Sequence, residues 1–162
     1  MEAISTGLIA MRRSPGGPNW FHLEETAERV PEGFGEHLMR AFAIRDYLRT
    51  IPTEDDLLAA RLAIAPDVHL LADHAWAPEG WQVAEARLSH STGLRRAGNV
   101  NSHMTKLLAR CDGVRTLREV VAEFAAGLGV DFERVAAPCL PVIRELLAEG
   151  FVVPLAATEA SR

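Results

Sequence analysis

Between Asn99 and Pro154 the chain carries the start and stop signals of three helices in quick succession, and this run constrains the fold more than any other feature. Asn101-Ser102 places a capping side chain ahead of Met104, Leu107 and Leu108, so a helix is expected to run to Cys111. Asp112-Gly113 ends it, the glycine supplying a left-handed turn. Thr116 with Glu119 three residues later is a capping box, and Leu117, Val120, Val121 and Phe124 fall on the inward stripe of a second helix. Gly127-Leu128-Gly129 closes it, and Asp131 opens a third helix that reaches Ala148. Pro138 and Pro141 inside that helix predict a kink or a break. Gly150 ends it, and Phe151-Val152-Val153-Pro154 reads as a strand cut off by proline. Three helices and then a β wing is winged-helix order.

The preceding residues alternate between hairpin and helix signals. Two short apolar runs, Met1–Arg13 and Asn19–Glu24, flank the Ser14-Pro15-Gly16-Gly17-Pro18 cluster and read as a hairpin. An isolated hairpin is marginal in water. It therefore packs on the rest of the chain, pairs with a second copy through its edge, or has lost its original partner. Residues 33–49 form a helix with Phe34, Leu38, Ala41, Phe42 and Leu48 on one stripe, stopped by Pro52. Thr53 opens another, running through Leu57, Leu58 and Leu62 to about Ala63. Residues 66–73 and 81–88 alternate like strands, joined by a turn at Ala77-Pro78-Glu79-Gly80 and broken at Ser91-Thr92-Gly93. The fold class expected is α+β, mainly helical, with short antiparallel hairpins and a C-terminal winged helix. Residues 1–98 form the hairpin and helical region, 99–155 the winged helix and 156–162 a flexible tail.

With 162 residues, 48% apolar and 24% charged, the chain has ordinary globular composition. No apolar run approaches the roughly 18 residues of a membrane span, and no signal peptide is evident. No membrane partner and a cytoplasmic location are expected. Two cysteines, Cys111 and Cys139, exclude a disulfide framework. The net charge of −5 argues against a sequence-independent hold on nucleic acid. Of the 17 basic residues all but Lys106 are arginine, scattered rather than clustered. Within the winged-helix stretch six basic residues (Lys106, Arg110, Arg115, Arg118, Arg134, Arg144) face seven acidic ones. The third helix, which would enter the major groove, carries Glu133, Glu145 and Glu149. DNA is therefore not the expected partner.

No catalytic, cofactor-binding or metal-binding residue is expected from the motifs present. There is no glycine fingerprint after a strand, no phosphate loop and no nucleophile elbow. The histidines at 22, 37, 69, 74, 90 and 103 do not pair at ligand spacing on a helix. His69 and His74 with Asp73 would hold a metal only if their strand ended in a tight turn; partly exposed polar positions near a loop are favoured. Cys111 sits at the negative end of a helix, which raises a thiol pKa, and Cys139 lies among Pro138, Leu140 and Pro141. Both read as inert. Trp76 and Trp81 bracket the turn at Pro78; they are expected to seal the edge of a core rather than clamp a ligand.

Two family resemblances overlap on these residues. From Leu107 through Cys111-Asp112-Gly113, Arg115-Thr116-Leu117 and Gly150-Phe151-Val152-Val153, the chain resembles small winged-helix domains of the PqqD type. That resemblance implies a module that takes up a peptide as an added strand. A wider one starts at Ala3–Arg13 and continues through Asp55–Leu62, Trp81, Leu107–Gly113 and Gly150–Pro154. It is similar to the region after the catalytic core of class I S-adenosylmethionine-dependent methyltransferases of actinobacterial type. The family's cofactor glycine loop and its Asn-Pro-Pro-Tyr-type motif have no counterpart here. The resemblance thus implies a non-catalytic accessory or substrate-recognition region, partnered by a methyltransferase core in cis or in trans. S-adenosylmethionine is implied only for that core. The remaining expected partners are a peptide or protein substrate and a second copy in a homodimer; the alternatives are a stand-alone peptide-binding module and, behind it, a DNA-binding regulator.

Overall fold

The structure is a computed structural model that describes residues 9–13, 20, 21, 23, 32–94 and 96–155. Helix α1 (Phe34–Thr50) stops just ahead of Pro52. Helix α2 (Glu54–Ala59) starts on a reciprocal cap, the Thr53 hydroxyl accepting from the Asp56 amide and the Asp56 carboxylate from the Thr53 amide. That second helix is shorter than its apolar pattern implies. At Ala60 the backbone turns extended, its carbonyl accepts the Leu117 amide at 2.8 Å, and Arg61–Ile64 becomes strand β1. Sheet pairing has overridden helix propensity there. In α1 the fully buried side chains are His37 and Ile44, while Phe34 and Phe42 are only half-buried. Phe42 instead meets Trp20 (ring centroids 5.7 Å apart) and lies under the Arg12 guanidinium, which also pairs with Asp46 at 2.5 Å. The expected N-terminal hairpin lies largely outside the described residues, and Ile9–Arg13, Trp20, Phe21 and Leu23 belong to no strand. The 156–162 tail also lies outside them.

Two antiparallel three-stranded sheets follow. One runs β2 (Val68–Ala77), β3 (Gly80–His90), β4 (Ala97–Val100), with β3 in the middle. After α3 (Ser102–Leu108), capped by the Asn101 side chain, strand β5 (Asp112–Thr116) leads into α4 (Leu117–Leu128). Helix α5 (Phe132–Ala148) and the short β6 (Val152–Pro154) complete the chain. The second sheet has the order β5-β1-β6. Its central strand comes from the first region read in the sequence and its outer strands from the second, so the two regions share one sheet.

Asp112-Gly113 does not end the helix, which stops at Leu108 with Ala109 as its cap, but opens β5. The Asp112 carboxylate accepts from the Val114 and Arg115 amides, at 2.8 and 3.0 Å, and these bonds bring its pKa down to about 2. Gly113 has φ +77°, and a side chain there would collide with Leu155. The turn delivers β5 onto β1. Neither proline breaks α5, which continues as one helix through Pro138 and Pro141. Residues Arg134, Ala137, Pro138 and Pro141 all face outward, so the carbonyls freed by the two missing amides open to water. Thr116 and Glu119 form the expected capping box. Leu62 of β1, Leu107 of α3, Val121 of α4 and Ile143 and Leu147 of α5 are essentially solvent-free, a single core between helices and sheet. The protein is α+β.

Candidate functional site

The β2–β3 hairpin is built in two halves with different surroundings. Its root is pinned to α1 by Asp67, which precedes β2. The Asp67 carboxylate accepts from the Arg40 guanidinium at 2.5 Å and the Thr92 hydroxyl at 3.1 Å, and faces His90 Nδ1 at 3.2 Å. Burial opposes ionisation of Asp67, but the Arg40 hydrogen bond and charge, with help from His90, outweigh it and hold the carboxyl below the ordinary range. His90 is 3% exposed, stacked on Phe151 with ring centroids 4.5 Å apart and met edge-on by His37. The aspartate–histidine pair has the shape of two members of a catalytic triad. Phe151 and His37 wall the imidazole in, so no substrate reaches it. The adjacent cleft, lined by His37, Arg40, Ile44 and Glu149 among others, is about 10 Å³, the size of one water.

Beyond the root the hairpin leaves the core. Directly opposed residues share a face, which places Val68, Leu70, Ala72, His74 and Trp76 of β2 with Trp81, Val83, Ala86, Leu88 and His90 of β3. In β3 the apolar positions change phase, from 81 and 83 to 86, 88 and 90. A bulge between the Val83–His74 and Glu85–Asp73 pairs absorbs Ala84 and keeps one face continuous. The inner end of this face, Ala86 and Leu88, is buried in the core, with Val100 of β4 paired beside Ala86. The outer end is open: Leu70 is 48% exposed, Val83 42%, Trp76 68% and Trp81 69%. The two indoles oppose each other across the strands, centroids 5.6 Å apart and nearly perpendicular. They do not seal a core edge, because the core stops at Ala86 and Leu88, several residues before the turn.

Other residues weighed in the sequence are dispersed. His69 and Asp73 lie on the hairpin face opposite His74, and among the described residues no three potential ligands come together for a metal. Both cysteines are free thiols. Burial first, then the Asp112 carboxylate, pushes the Cys111 thiol up to about 11, and burial raises Cys139 as well. Among the cations considered for DNA, Arg118 binds Asp55 and Arg115 binds Asp112 and Glu123. Arg144 donates to the Ile51 and Thr53 carbonyls, and Arg110 to the Lys106 carbonyl. The Asp67 cluster escaped sequence reading because its members lie 23 to 27 positions apart and share no motif. The exposed hairpin left one signal, the phase change at Ala84.

These features define a small α+β protein whose core carries a projecting hairpin with one uncovered apolar face. The chain belongs to the family described as Domain of unknown function (DUF7782), which matches residues 36–154. That span holds both sheets and all but the first two residues of α1. No curated protein matches the chain. Among the described residues no helix is long and apolar enough to cross a membrane.

Proposed function

We propose that this chain is the non-catalytic C-terminal accessory and substrate-recognition region of an S-adenosylmethionine-dependent methyltransferase, working in the cytoplasm beside a catalytic core in cis or in trans. One observation carries the recognition role: an apolar sheet face that starts in the core and continues, uncovered, to Trp76 and Trp81. The attachment to a methyltransferase rests on the ordered resemblance from Ala3 to Pro154. S-adenosylmethionine belongs to the core in this reading. The cleft beside His37 is too small for it, and no glycine-rich loop after a strand offers its carboxylate or ribose a cradle. Calorimetric titration of the chain with S-adenosylmethionine is expected to give no binding heat. A micromolar site would overturn the reading.

A second reading is a PqqD-like winged helix that captures a peptide by strand addition. It draws on the element order α3-β5-α4-α5-β6, in which β5 and β6 are the outer strands of their three-stranded sheet. Protection of β5 or β6 amides from hydrogen exchange by a co-purifying peptide favours this reading. Unprotected β5 and β6 amides in the presence of that peptide exclude it.

A further inference from the structure

We infer that the uncovered hairpin face is the contact between two copies of this chain. The inference rests on the hairpin being a docking element and names its occupant. Three observations select a second copy.

The first is charge. The exposed stripe Leu70, Ala72, His74, Trp76, Trp81 and Val83 contains no carboxylate, guanidinium or ammonium group, whereas the opposite face carries Asp73, Glu85 and Arg87. A charged peptide or nucleic acid finds no complementary group on the stripe. Two copies, each of net charge −5, meet with no like-charge repulsion where charged groups are absent.

The second is area. With the two indoles about two-thirds exposed, and Leu70 and Val83 nearly half, the stripe offers about 500 Å² per copy, given that an aromatic side chain buries 150–250 Å². Two such stripes bury about 1,000 Å² together, the lower bound for a specific interface. A face that is itself apolar, flat and narrow is self-complementary about a two-fold axis, the commonest symmetry of soluble oligomers.

The third is preorganisation. Trp76 and Trp81 already hold each other edge to face, and Asp67 with Arg40, His90 and Thr92 fixes the root. Docking therefore orders few additional side chains.

Sedimentation velocity on the full chain at tens of micromolar tests this. The wild type is expected to sediment as a particle of twice 17.7 kDa. Two variants, Trp76→Ala/Trp81→Ala and Val83→Glu, are expected to sediment as monomers that still unfold in one cooperative thermal transition, since these side chains lie outside the core. A monomeric wild type, or a dimer that persists in both variants, overturns the inference. Acrylamide quenching in a Trp20→Phe background then separates the two layers of the argument. A monomer with freely quenched tryptophans removes the second copy and leaves the hairpin open for another partner, including a lipid vesicle. A monomer with shielded tryptophans removes the docking element as well.

Discussion

Asp67 gathers three donors from parts of the chain far apart in sequence: Arg40 on α1, His90 at the end of β3 and Thr92 in the loop after it. The carboxylate is 13% exposed and Arg40 24%, so the pair is shielded enough to matter energetically. An asparagine keeps one acceptor oxygen but removes the charge that Arg40 pairs with, and its amide group replaces one of the two oxygens shared by Arg40, His90 and Thr92. Asp67→Asn is expected to cost about 2 kcal/mol at neutral pH, measured by urea unfolding. The sign of the pH dependence follows from the lowered pKa of Asp67. The contribution is complete above the ordinary aspartate value, about 4, and is lost as pH falls through the lower folded value. The stability gap between wild type and Asp67→Asn should therefore begin to narrow at about pH 4 and close below the folded pKa. A constant gap down to pH 2 would remove Asp67 from this role. None of this was visible in the residues themselves, since a lone aspartate before a strand reads as a turn residue. At the same scale Thr116 and Glu119 were fully legible, because a capping box is written in four consecutive positions.

At the scale of elements, the hairpin shows how a strand pattern can be read correctly in position and wrongly in environment. Alternation located β2 and β3, and the turn at Pro78-Glu79, because period-2 spacing is local. The two tryptophans bracketing the turn were expected to seal the edge of a core, yet both are about two-thirds exposed. Periodicity reports that one face is apolar and not what covers it. The bulge at Ala84 gives this a test. Deleting Ala84 converts β3 to a regular strand that keeps the His74–Val83 and Asp73–Glu85 pairs, so both indoles stay on their face. The deletion is expected to leave the melting temperature and the dimer unchanged, by calorimetry and sedimentation. Loss of the dimer would show that the bulge sets the shape of the face and not only its phase.

At the scale of the molecule, β1 is the decisive element. Four residues, Arg61–Ile64, pair with Asp112–Thr116 on one side and Val152–Pro154 on the other. Leu62 is 1% exposed between them. A fragment beginning at Asn99 lacks this central strand and exposes the ladder groups of β5 and β6 together with the floor of the core. It is expected to unfold without a cooperative thermal transition, whereas a chain beginning at Glu32 unfolds cooperatively. A cooperative melt of the 99–162 fragment would show that the C-terminal helices carry the fold without β1. The helical reading of residues 54–63 missed β1 because the four residues follow directly on a capped, leucine-rich turn, and only pairing partners about fifty and ninety positions away favour the extended state.

By itself the sequence determined the α+β class, the helix caps at Thr53, Asn101 and Thr116 and the hairpin turn. Each is encoded within a few neighbouring residues, where local hydrogen bonds and side-chain spacing act without help. The tertiary structure alone decided that β1 joins the two halves, that Asp67 roots the hairpin and that the tryptophan pair stands uncovered. Those outcomes depend on which distant surfaces meet, and burial is a property of the assembled chain that no short stretch of it encodes.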